Sequence, residues 1–208
     1  MPSRDYRFVL CTCAYLAAAG GLVHATTGPT LAQKSGKPSE AGNSAARKAA
    51  PQSPEVRYGT DKLPAPVIDM REAILAAVRS GRIEDLTPAI QMNELKPDFG
   101  AGAEPPVDAL RRMSADGAGL DVLAALAAIL DTGYVTLPTG RDIENNRLFV
   151  WPYHAEIAID RLTPAQEVEL LRLVPHAAVE AMKERRRYTG WRIAIGADGV
   201  WHSFGRAP

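Results

Sequence analysis

His154 and Glu156 stand two residues apart in the stretch LFVWPYHAEIAID, residues 148–160. An imidazole beside a carboxylate is the pairing used for general base catalysis, or for a metal ligand and the carboxylate that orients it. Read with the period of a strand, the two side chains project on one face. The odd positions Phe149, Trp151, Tyr153, Ala155, Ile157 and Ile159 are all apolar or aromatic and make the other face core. Pro152 lacks an amide proton, which sets the strand at a sheet edge or makes it bend there. Any half-solvated strand can carry such a pair, so a third polar group decides whether it is a site.

His202 is the candidate for that third group. With Asp198-Gly199 as a two-residue hairpin loop, Ala197 pairs with Val200 and Ile195 with His202. That register puts His202 on the core face with Ile193 and Phe204, as a packed histidine with one hydrogen-bond partner, and leaves Trp201 on the opposite, exposed face. Trp201, with Tyr153 and Trp151, is then the aromatic surface a ligand would use. His176 and Glu180 lie one helical turn apart, a spacing that can chelate zinc, with Glu184 a turn further on. The outer face of that helix needs polar residues in any case. Lys183 to Arg187 place positive charge at a helix C-terminus, where the macrodipole favours it. No Gly-x-Ser-x-Gly elbow, phosphate-binding glycine loop or His-Glu-x-x-His is present, and no cofactor is implied.

The elements that must position these residues read as α+β. Val67, Met70, Ile74, Leu75 and Val78 recur at helical spacing before Gly81, and Ile83 to Met92 suits a second, shorter helix. Val107 to Ser114 allows another. Gly119 to Asp131 aligns Leu120, Leu123, Leu126, Ala127 and Leu130 in a helix apolar most of the way round, the pattern of a buried spine. From Tyr134 the period changes to two, giving strands at 134–137 and from Arg147 onward. Thr163, Pro164 and Gln166 form a capping-box helix start, with Val168, Leu171 and Val174 expected inward. His176 to Arg187 follow as a helix resting on Val179 and Met182, and 191–204 as a hairpin. Helices come first, then a small antiparallel sheet with two helices inserted.

The amino terminus reads as an export signal: two arginines within Met1–Arg7, an apolar run from Phe8 to Val23, and a small-residue site that predicts cleavage after Ala25, with Ala32 as second choice. About 16 apolar residues broken by Gly20-Gly21 fall short of the roughly 20 that span a bilayer, so no stable membrane span is expected after cleavage. Cys11 and Cys13 both lie in this segment, leaving the mature chain without disulfides. Residues 26–58 are rich in Gly, Pro, Ser, Ala and Lys with little to bury, which predicts a disordered linker. It carries five Lys or Arg against two Glu, a weak contact for anionic envelope polymers or a solvated spacer. The remaining 59–208 is one domain in size. Taking the 7 basic and 3 acidic residues of 1–58 from 24 of each leaves 17 and 21 there. That acidic balance argues against nucleic acid as a partner.

Three pieces, Trp151-Pro152-Tyr153, LTPAQEVEL at 162–170 and IGADGVW at 195–201, together with MREAIL at 70–75, resemble a family of exported bacterial proteins of unknown function over most of 62–204. No activity comes with that family. Its members end in Trp-x-Phe-Phe followed by Gly-Asp, where this chain has Trp201-His202-Ser203-Phe204-Gly205-Arg206. A looser likeness is to cone-shaped domains of the nuclear-transport-factor-two type, with a helical hairpin before antiparallel strands; the helices after residue 162 depart from it. The expectation is a periplasmic or secreted binding module without catalysis, its partner an envelope protein or polymer. The rival is a small periplasmic hydrolase or metal-dependent enzyme using His154 and Glu156, and a third reading is self-association through the strand bearing Pro152.

Overall fold

The computed structural model of the protein describes residues 53–100, 102, 104–139 and 146–208; the expected export signal and most of the expected linker lie outside them. The described chain is α+β. Four helices lead, α1 (Ala65–Ser80), α2 (Thr87–Gln91, after a 3-10 turn at Ile83–Leu86), α3 (Pro106–Met113) and α4 (Leu120–Leu130). Strands β1 (Val135–Pro138) and β2 (Arg147–Trp151) follow, then α5 (Pro164–Leu173), α6 (His176–Arg185), β3 (Trp191–Gly196) and β4 (Trp201–Arg206). All four strands form one antiparallel sheet in the order β1-β2-β3-β4. No helix among the described residues is long and apolar enough to cross a membrane.

Both faces of the sheet are covered. One carries Phe149, Trp151, Ile193, Ile195, Trp201 and Phe204 into the core that α1 and α4 complete with Met70, Ile74, Leu126 and Ile129. The other buries Val135, Val150 and Ala194 under Tyr153. Ile159, Leu170, Val179, Met182 and Tyr188 form a satellite core beneath α5 and α6.

Local signals set the helix ends. Proline opens α1 at Pro64-Ala65-Pro66, and Gly81 closes it at φ 69° with its amide on the Val78 carbonyl at 3.2 Å, the left-handed stop that glycine allows. Thr163 caps α5 as expected: its hydroxyl accepts the Gln166 amide at 3.3 Å and the Gln166 side chain accepts the Thr163 amide at 2.9 Å.

Helix rotation differs from the sequence pattern in two places. In α4 the buried stripe is Val122, Leu123, Leu126, Ile129 and Leu130, and Leu120 is 55% exposed. A helix apolar on nearly every side does not specify its own rotation, and polar anchors do it here. Asp121 accepts from the Ser114 hydroxyl and the Ala115 amide, and Asp116 from the amides of Gly119 and Asp121. In α5 Leu170 is buried, whereas Val168 and Leu171 are exposed at 62% and 43%. The helix turns Gln166, Glu169, Leu170 and Leu173 toward the domain because His154 holds the Gln166 carbonyl and Tyr58 holds Glu169.

Residues 56–58, placed by composition at the end of the linker, pack on the domain. Val56 joins the Tyr153 cluster, Arg57 makes a two-bond bridge to Tyr134 (2.9 and 2.8 Å), and the Tyr58 hydroxyl donates to Glu169 at 2.9 Å.

Candidate functional site

The histidine–carboxylate pair does not share a strand face. β2 ends at Trp151, and Tyr153–Glu156 wind into a 3-10 turn, so the alternation that aligned His154 with Glu156 stops two residues short of them. Pro152 marks a bend rather than an edge, for β2 is an inner strand. His154 is fully buried and stacked on Tyr153 at 4.0 Å between ring centres. Its Nε2–H donates to the Gln166 carbonyl at 2.9 Å, and Nδ1 has no partner among the described residues. This is a neutral ring: burial holds its pKa below the ordinary imidazole value. Glu156 instead accepts Nε and a terminal nitrogen of Arg192 at 3.1 and 2.8 Å.

Trp201 and His202 exchange the places expected of them. The hairpin register holds from Trp191↔Arg206 to Ala194↔Ser203, then slips by one to Ile195↔Trp201. The turn is closed by Gly196 and Val200, with Gly199 at φ 85° against the carbonyl of Pro66, where a Cβ would come within 2.7 Å. A one-residue bulge reverses which face a side chain takes. Trp201 is therefore buried, edge-on to Phe99 at 5.0 Å, and His202 is exposed. His154, Glu156 and His202 thus have three separate settings and no shared pocket. The aromatic ligand surface does not form either, since Trp151, Tyr153 and Trp201 are all buried. Burial pushes the Tyr153 hydroxyl well above the usual phenol range. His176 and Glu180 approach to 4.0 Å on the exposed face of α6, at 76% and 52% exposure. No group of three metal-ligating side chains occurs among the described residues.

What the fold does assemble is a cleft of about 480 Å³ along β4, between that strand, residues 98–100 and the end of α3. Three arginines line it: Arg112, Arg192 and Arg206. Arg112 is paired with Glu104 at 2.8 Å and Arg192 with Glu156 at 2.8 Å. Arg206 lies with its guanidinium carbon 4.2 Å from the centre of the Trp191 ring, which stacks in turn on Phe204 at 5.0 Å and 1° between planes. No carboxylate stands within 4.0 Å of Arg206 among the described residues. A stacked guanidinium keeps its plane fixed and its N–H edge free, the geometry that takes a carboxylate or phosphate oxygen. Asp98 also lines the cleft, but its Oδ1 accepts the Gly100 amide at 2.8 Å.

Composition gave no reason to single out Arg206. The signal lay in the hairpin, because the expected pairing of Ala197 with Val200, run outward, sets Trp191 opposite Arg206. Comparisons of the chain with protein-family models, with curated proteins and with solved structures found no match.

Proposed function

We propose that the chain is an exported, non-catalytic binding module of the cell envelope that takes an anionic group in the cleft beside β4. The observation that carries this reading is Arg206, stacked on Trp191 and without a carboxylate partner among the described residues, beside two further guanidinium groups. No histidine is among the residues lining the cleft, and its carboxylate Asp98 is engaged with a backbone amide, which favours binding over acid–base chemistry. The export part of the proposal rests on the leader-like residues 1–25 and on the resemblance to exported bacterial proteins.

Titration with succinate and with inorganic phosphate, followed by the fluorescence of Trp191, tests the site. Saturable quenching is expected, and Arg206→Ala weakens it by about tenfold or more, the worth of one charge-assisted hydrogen bond. Trp191→Phe removes the signal while calorimetry still records binding. Unchanged affinity in Arg206→Ala overturns the assignment. For export, the protein recovered from the periplasmic fraction is expected to begin at Thr26; an intact leader on protein confined to the cytoplasm contradicts it.

A further inference from the structure

We infer that the anionic partner is an extended acidic peptide segment that enters the cleft as a fifth strand beside β4. This rests on the anion-binding reading and names the partner class for the same cleft.

The edge of β4 is half covered and half open. Asp98 donates its amide to the His202 carbonyl at 2.8 Å and accepts the Phe204 amide at 3.1 Å, a short parallel bridge on the side of β4 away from β3. The Gly100 amide then turns back to the Asp98 side chain, so the segment leaves the sheet. Backbone groups alternate in direction along a strand. The Phe204 carbonyl and the Arg206 amide and carbonyl therefore point outward like those of His202, and have no backbone partner among the described residues.

The cleft occupies the space those groups face. Its lining includes Phe204 and Arg206 from one face of the sheet and Arg192 and Gly205 from the other, so it continues the plane of the sheet beyond its last strand. A Cβ placed on Gly205 meets nothing within 4 Å, so the sheet face beside that position is also uncovered. An added strand would lie about 4.8 Å from β4. Main-chain bonds then give affinity while side-chain chemistry gives selectivity.

Charge decides the occupant. A second copy pairing edge to edge would bring Arg206 against its own counterpart, and like charges directly opposite destabilise a ladder. Residues 26–58 of this chain carry five basic residues against two acidic, the same sign as the cleft. An acidic strand instead sets the carboxylates of one of its faces beside Arg206. A charged edge residue can also serve only to discourage pairing; the experiment separates the two roles.

The test uses the full chain and an acetylated, amidated octapeptide of alternating Glu and Thr, measured by calorimetry beside succinate. The peptide is expected to bind at least about tenfold more tightly than succinate, and N-methylation of alternate amides to remove that advantage. Arg206→Ala is expected to weaken both ligands, with far-UV dichroism unchanged. If the N-methylated peptide binds as well as its parent, strand addition fails while the anion site stands. If neither succinate nor the parent peptide binds, the anion site fails and this inference with it. Sedimentation showing a dimer that the peptide does not disperse assigns the edge to a second copy and overturns the proposal.

Discussion

Replacing Trp201 by alanine is expected to lower the free energy of unfolding by about 3–5 kcal/mol, the range for deleting a large aromatic side chain from a core. The indole is fully buried and packs edge-on against Phe99. Its Nε1 donates to the Ser203 carbonyl at 3.2 Å, and the Trp201 amide is held by Asn93 Oδ1 at 2.8 Å. Removing the ring therefore empties a core position and loosens the 93–99 segment that bridges β4. Urea unfolding followed by far-UV dichroism measures the loss, and Trp201→Phe should recover part of it because the contact with Phe99 survives. A loss below about 1 kcal/mol would mean that the ring faces solvent, as the unbulged hairpin required.

The second large effect is at His154. Deleting its ring leaves a hole beside Tyr153 and Tyr188, and His154→Ala is expected to cost about 2–5 kcal/mol, as for buried side chains of similar volume. The acid response carries the more specific signature. Folding lowers the pKa of this imidazole through burial, so the unfolded chain binds its proton first as the pH falls. The stability due to the neutral ring is complete above about 6.5, the unfolded value, and declines as the pH drops from there toward the folded pKa. Melting temperatures between pH 7 and 5 should fall in the native protein and stay nearly flat in His154→Gln, which does not titrate. Carboxylates act in a lower window: Asp116, drawn down to about 2 chiefly by the Ser114 hydroxyl, gives up its contribution only as the pH falls below its ordinary 3.8. Equal slopes in the two proteins would place the proton uptake elsewhere.

Local chemistry was legible in the sequence and rotation was not. The α+β order, the Thr163 capping box and the Gly81 stop each depend on a few neighbouring residues, and each stands where the pattern put it. The faces of α4 and α5 depend on polar bonds from outside each helix, from Ser114 and from His154, that no periodicity carries. The candidate site divides the same way. Alternation read His154 and Glu156 as one surface because it took the strand to continue through Pro152, whereas Glu156 is bound to Arg192, 36 residues away. Trp191 opposite Arg206 followed from the hairpin register, and only the bulge at Ile195 kept Trp201 and His202 from doing so too.

The bridge between Arg57 and Tyr134 fixes where the chain enters the domain. It lies just outside β1, and the open backbone lies on β4, at the other margin of the same sheet. Three inter-strand intervals, about 14 Å, separate β1 from β4. Val56 and Arg57 thus sit at one margin of the sheet and the open backbone of β4 at the other, so a group bound along β4 does not displace the bridge to Tyr134.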